Sequence, residues 1–389
     1  MKKLVPPLLT MINELIATPS ISSVNPAYDV SNMNVIELLA DWLETAGFSV
    51  EILTIPNQKH KANLIATLGS GSGGLVLSGH TDTVPYDEGR WQYDPFKMTQ
   101  DNNKLYGLGS ADMKSFIALA IEAARGLTAN DLKQPLIILA TADEESSMSG
   151  ARELVRLNRP NARFAVIGEP TNLKPIHAHK GIIMESITIT GRSGHSSNPA
   201  YGFNAMETMM DVMQEIKKWR KELQAANIDE RFLVPVPTLN FGHIHGGDNP
   251  NRICGECELQ IDLRPLPEMS LEECRKELAA RVSKVVDSRN FQINIKPLIH
   301  GTESMLTPKH SEIVIASEQL TGNCAETAAY CTEAPYFNSM GIDTIILGPG
   351  SIAQAHQPDE YIETASLKPT VSLLKNLIEK FCIHAQPLA

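Results

Sequence analysis

Four short apolar runs, each leading abruptly into histidine or carboxylate side chains, constrain this chain more than any other feature. Leu75-Val76-Leu77 runs into His80-Thr81-Asp82, and Leu136-Ile137-Ile138-Leu139-Ala140 into Asp143-Glu144-Glu145. Phe164-Ala165-Val166-Ile167 ends in Gly168-Glu169, and Thr344-Ile345-Ile346-Leu347 in Gly348-Pro349-Gly350, with His356 a few residues beyond. Apolar runs without alternation suit strands buried on both faces. With helical stretches between them, they predict a doubly wound, mostly parallel α/β sheet. In such sheets the ligand site lies outside the carboxyl ends of the strands. His80, Asp112, Glu144, Glu145, Glu169 and His356 are therefore expected along one edge. Asp112 reaches that edge from Gly109-Ser110-Ala111-Asp112-Met113-Lys114, near the start of a helix.

The pattern changes character between residues 181 and 297. Strands near 182–190, 238–244, 255–264 and 291–297, with helices near 203–224 and 270–287, give the β-α-β-β-α-β order of a ferredoxin-like unit. Cys257, Leu259, Ile261 and Leu263 alternate with Glu258, Gln260, Asp262 and Arg264, so one face of this sheet should be wet. A chain of 389 residues exceeds what one core usually serves. The expected organisation is a discontinuous catalytic domain, residues 1–180 and 298–389, carrying an inserted domain at 181–297. Helices are expected at 8–17 and 34–46, the second with Asn34 as N-cap, Glu37 three residues on and Gly47 just past its end.

Composition narrows the function. Lys plus Arg number 34 against 45 Asp plus Glu, a net charge of −11, and no basic run interleaves with aromatics, so nucleic acid is not an expected partner. The basic start Met1-Lys2-Lys3 is followed by Pro6-Pro7 and then by Asn13 and Glu14, which reads as neither a signal peptide nor a membrane span. Six scattered cysteines are expected to be reduced, cytoplasmic thiols. Cys254 and Cys257 lie three apart on a strand and would point to opposite faces, so they are not expected to share a metal.

Two imidazoles and at least three carboxylates form a nitrogen and oxygen ligand set of the kind catalytic zinc takes. Two ions about 3.5–4 Å apart with a bridging carboxylate would use all of them. The adjacent Glu144 and Glu145 suggest a division of labour, one binding metal and the other acting as general base. Asp82, two residues beyond His80, is placed to take the other ring N–H of that imidazole.

His80-Thr81-Asp82-Thr83-Val84-Pro85, Gly109 to Lys114, Asp143-Glu144-Glu145, Gly168-Glu169-Pro170 and Ser193-Gly194-His195-Ser196 together resemble the successive motifs of the dinuclear-zinc M20 deacylases and peptidases. The resemblance covers essentially the whole chain. Matched by position, it implies Asp112 as the bridge, His80 and Glu169 on one metal, Glu145 and His356 on the other, and Glu144 as general base. It implies two Zn²⁺ per subunit, with Co²⁺ as a substitute. Asn251, Arg264, Lys180, Arg252, Thr332 and Glu333 become candidate substrate contacts, Arg264 as a bidentate partner for a carboxylate. The implied assembly is a homodimer pairing through the inserted domain, which sends His195 into the partner's cleft as an oxyanion donor. Further likeness at His179-Lys180-Gly181, Cys331-Thr332-Glu333-Ala334 and Ala355-His356-Gln357-Pro358 implies removal of acetyl from N-acetylornithine, in arginine biosynthesis. Succinyl-diaminopimelate or a dipeptide are alternative substrates, and a non-catalytic metal- or amino-acid-binding dimer is a rival of another class.

Overall fold

The computed structural model describes residues 4–288 and 290–384 and divides into two compact units. The first is built from the chain up to His177, from Thr307–Glu326 and from Glu333 onward; the second is Ala178–Leu306 with Thr327–Thr332.

At the centre of the first unit, strands Leu136–Thr141, Leu75–His80, Phe164–Ile167 and Asp343–Ile346 lie side by side in that order, all parallel. All of their residues except Asp343 are buried, as uninterrupted Leu, Ile and Val require when both faces of a sheet are covered. Helices Leu8–Ile16, Lys114–Ala124 and Thr364–Ile378 pack together, and Ser149–Leu157 packs on Ala334–Ser339. Helix Lys114–Ala124 is apolar nearly all round and almost entirely buried, which fixes its start, two residues after Asp112.

The sheet is mixed rather than parallel throughout. Gln58–Leu68 runs antiparallel beside Leu136–Thr141, Ser49–Ile55 forms a hairpin outside it, and Ile176 pairs antiparallel with Ile346 on the opposite side. The hairpin is poorly marked in the sequence, because its outer strand is exposed or half-buried except at Ile55 and its turn is Pro56-Asn57 rather than a glycine pair. Asn57 nevertheless takes the left-handed conformation, φ 64°.

The second helix also departs from its expected start. It spans Met33–Thr45, so Asn34 lies inside it, and Asn32 at the N-cap position makes no side-chain cap bond. The buried Asn32 amide instead donates to Ala62 O and Thr81 Oγ1 and accepts from Ala62 N–H. Satisfying a buried amide through the neighbouring strand outweighs a local cap. Gly47, at φ 92°, ends the helix as expected.

In the second unit, Thr238–Gly246, Glu256–Arg264, Ile183–Thr190 and Gln292–Pro297 form an antiparallel sheet in that order. With helices Ala205–Ala226 and Leu271–Val285 this is the β-α-β-β-α-β arrangement. Ile187, Ile189, Leu259 and Ile261 pack with Met209, Trp219 and Leu278 from the helices. Along Glu256–Arg264 buried residues alternate strictly with more exposed ones. Cys254, Cys257 and Cys274 belong to this core; Cys254 precedes the strand, so it does not point to the opposite face from Cys257 as expected, and burial pushes the Cys257 and Cys274 thiols up to about 11. Among the described residues, no helix is long and apolar enough to cross a membrane.

Candidate active site

All four parallel strands end on one edge of the first unit's sheet, and each hands over to residues of a single cluster. His80 closes its strand and is buried. Glu144 and Glu145 follow Leu136–Thr141, and Glu169 follows Phe164–Ile167 after Gly168. A Cβ on Gly168 would lie 1.9 Å from the Phe116 ring, so only glycine lets this strand end pass the helix beneath it.

The six side chains expected on this edge are brought together. His80 Nε2 stands 3.1 Å from Asp112 Oδ1 and 4.0 Å from Glu169 Oε1. His356 Nε2 is 3.0 Å from Glu145 Oε2 and 3.6 Å from Asp112 Oδ2. Among the described residues, three groups of potential ligand atoms have their atoms within 4.8 Å of one another, and two of them, His80-Asp112-Glu169 and Asp112-Glu145-His356, share Asp112. Asp112 is common to both and turns one oxygen toward each histidine. Glu144 belongs to neither, although it also lies within such reach of His80 and Glu145.

The electrostatics fit a cation site. The ion-pair partners of Asp112, Glu145 and Glu169 among the described residues are histidines, not lysines or arginines. Burial, then the neighbouring Glu169 charge, pushes the Glu144 carboxyl well above its usual range. Burial, then Asp112, does the same to Glu169. His356 is pushed up to about 9, chiefly by its contact with Glu145. Such crowding of acids is relieved by a bound cation, whose charge reverses the local preference. A cluster of imidazole and carboxylate without thiolate suits zinc and similar divalent ions.

Asp82 differs in detail from the expectation. The His80 Nδ1–H finds the main-chain oxygen of Asp82 at 3.0 Å, while the nearer carboxylate oxygen is 3.7 Å away. That carboxylate accepts the backbone N–H groups of Glu144 and Glu145 at 3.2 and 3.0 Å. Asp82 thus orients the imbalanced pair of glutamates as well as the imidazole, the first through its side chain and the second through its backbone.

His195, Asn251 and Arg252 lie in the second unit as neighbours on its surface. His195 and Arg252 form a backbone bridge, and Ser196 N–H donates to Asn251 O. The exposed His195 ring accepts the Ser197 N–H at Nδ1, which leaves its proton on Nε2. Arg252 is paired with Asp248. The expected substrate grip of Arg264 is taken internally, since its guanidinium holds Asp262 through Nε at 2.8 Å and Nη2 at 3.0 Å. Strand residues two apart share a face, so this pairing is local. Lys180 is buried, donates to Val236 O, and has its pKa lowered by that burial. Thr332 binds His179 Nε2 through its N–H and hydroxyl. Glu333, in the first unit, is buried, accepts from Thr141 Oγ1 and is pushed up to about 7 by burial.

The sequence did not reveal several supporting residues. Lys61, almost wholly buried on the unmarked hairpin, bonds Asp29 and Asp143, and Asn63 two residues on accepts from Ala142 N–H and donates to Gly150 O. Both therefore brace the loop carrying Glu144 and Glu145. Glu360 accepts three N–H bonds from the Asp112 loop. The signal available was Asp359-Glu360 closely following His356, and a lone Lys-x-Asn says nothing without knowledge of its strand.

Four parallel strands ending in an edge of acids and histidines are the setting for the comparison with known proteins. The chain belongs to peptidase family M20/M25/M40, whose sequence pattern matches residues 76–380. It is 49% identical over 387 residues to the acetylornithine deacetylase of Shigella sonnei (strain Ss046), covering 99% of this chain and all of that one. Its fold resembles an M20 metallo-carboxypeptidase from Sulfolobus solfataricus, TM-score 0.76 at 16% identity, over 97% of this chain and 99% of that one. It also resembles a dinuclear metal-binding M20 peptidase from Bacillus subtilis, TM-score 0.66 at 14% identity, over 95% and 97%.

Proposed function

We propose that this chain hydrolyses N-acetylornithine to acetate and ornithine, as a cytoplasmic homodimer in arginine biosynthesis with two Zn²⁺ per subunit. The observation that carries the reading is Asp112, which turns one carboxylate oxygen toward His80 and the other toward His356. The Shigella relative, similar over its full length, supports the substrate.

His80, Asp112 and Glu169 would hold one ion, and Asp112, Glu145 and His356 the other. Bound there, divalent ions would polarise the acyl carbonyl and acidify the attacking water. Glu144, needed by neither ligand group, takes a proton from that water as its oxygen bonds to the carbonyl carbon. It then hands the proton to the amine as the C–N bond breaks. Asp82 keeps Glu144 and Glu145 in place through their N–H groups. His195 of the second unit, protonated at Nε2, would donate to the oxyanion in a partner subunit's cleft. The inserted unit then serves as the dimerisation and lid domain. Asn251, Arg252, Arg264, Lys180, Thr332 and Glu333 are the proposed substrate contacts; for Arg264, substrate carboxylate would have to displace Asp262.

Hydrolysis rates on N-acetylornithine, succinyl-diaminopimelate and a dipeptide test the substrate, and N-acetylornithine should be fastest. Metal retained without turnover of any of the three would favour a passive binder. Mixing His195→Ala with Glu144→Ala tests the role of His195. Each should be nearly inactive alone, whereas a mixed dimer has one site with an intact Glu144 and an intact partner histidine, so activity should return. A mixture that stays dead after verified subunit exchange removes His195 from the partner's site.

A further inference from the structure

Glu360 is buried to 1% exposure, and none of the chemistry proposed above uses it. Its carboxylate fills a concavity of backbone N–H groups: Oε1 accepts from Ala111 at 2.7 Å and Asp112 at 2.9 Å, and Oε2 accepts from Gly109 at 3.0 Å. Successive amides turned inward in this way form an anion nest. Here the anion comes from the protein itself. The nest depends on Gly109, whose φ of 81° is left-handed and where a Cβ would lie 2.7 Å from the Lys114 side chain. The backbone reinforces the link, since Gly107 N–H donates to Glu360 O and Tyr361 pairs with Tyr106.

Glu360 stands four residues after His356, and the amides it holds include that of Asp112 itself. We infer that Glu360 is a positioning residue for the metal centre, fixing the Asp112 loop to the His356 loop so that the carboxylate shared by the two ligand groups is held in place. The inference rests on the dinuclear reading above. A carboxylate suits this task because both of its oxygens accept. Glutamine would turn an NH₂ toward one of the three amides and leave that donor facing a donor. The adjacent Asp359 makes a useful contrast. It accepts from Gln92 and Tyr93 N–H, so it ties the same segment to a loop carrying no candidate ligand.

The test is Co²⁺ titration of the metal-free full-length protein, read by the visible spectrum of the bound ion and by metal content. Wild type should take two ions, and Asp359→Asn should do likewise. Glu360→Gln should bind at least one of them about 10- to 100-fold more weakly, the usual range when a ligand's supporting partner is lost. Wild type taking no ion would defeat the dinuclear reading itself. Wild type and Glu360→Gln binding two ions alike, or Asp359→Asn losing metal as Glu360→Gln does, would overturn the positioning role alone. If Glu360→Gln does not fold, amide hydrogen exchange of wild type decides. Residues 109–112 should be protected without metal, because the holding group is the protein's own. Fast exchange that slows only on adding Co²⁺ would assign the ordering to the metal and overturn the inference.

Discussion

Glu144→Ala should retain both metals and lose about 10²–10⁴-fold in turnover, the usual contribution of a general base. At 1.36 kcal/mol per decade this corresponds to roughly 3–5 kcal/mol of transition-state stabilisation. The loss should fall on kcat with KM little changed, because proton transfer is made in the transition state and not on substrate binding. Glu145→Ala supplies the contrast. Glu145 meets His356 at 3.0 Å within the Asp112-Glu145-His356 group, so its removal should weaken one metal first and activity as a consequence. Kinetics on metal-saturated protein, alongside metal content per subunit, separate the two. Metal loss in Glu144→Ala with retention in Glu145→Ala would exchange the roles of the neighbouring glutamates.

Both residues could be singled out from sequence because a buried strand followed by acids is a pattern on contiguous residues. The four central strands are legible for the same reason: their residues have no polar alternation, and the structure buries them on both faces. The antiparallel hairpin Ser49–Ile55 and Gln58–Leu68 was not legible. Its outer strand is exposed or half-buried except at Ile55, and the pairing of Gln58–Leu68 with Leu136–Thr141 is a long-range contact that local periodicity does not encode. With it went Lys61 and Asn63, whose importance arises only once Gln58–Leu68 lies beside the strand that leads to Glu144.

Charged side chains show the same limit from the other direction. Arg264 presents an ideal carboxylate grip in sequence, yet Asp262 on the same face of the same strand satisfies it at 2.8 and 3.0 Å. Lys180 offers a cation, yet it is buried and donates to Val236 O. Residue type sets what a side chain can bind, whereas occupancy by an internal partner depends on backbone geometry. Asp82 combines both lessons. Its proximity to His80 is written in the sequence, but its carboxylate serves the backbone of Glu144 and Glu145, some sixty residues away.

Removal of metal by a chelator should abolish hydrolysis entirely, and Zn²⁺ or Co²⁺ should restore it, since nitrogen and oxygen ligands suit both ions. The effect should exceed that of any single substitution, because chelation empties both ligand groups at once. It should also reach stability. Among the described residues, Asp112, Glu145 and Glu169 have only imidazoles as ion-pair partners, so withdrawing the cations leaves crowded acids whose mutual repulsion disfavours the folded cluster. A ligand at 100 times its dissociation constant stabilises the folded state by about 2.7 kcal/mol, so the thermal midpoint of the metal-free protein should fall by several degrees. Activity assays and thermal scans on one chelated preparation, before and after metal is returned, measure both effects. A fall in stability without loss of activity would make the cations structural. Full activity in a preparation shown by elemental analysis to be metal-free would remove metal from the reaction and leave Glu144 without an acidified water to act on.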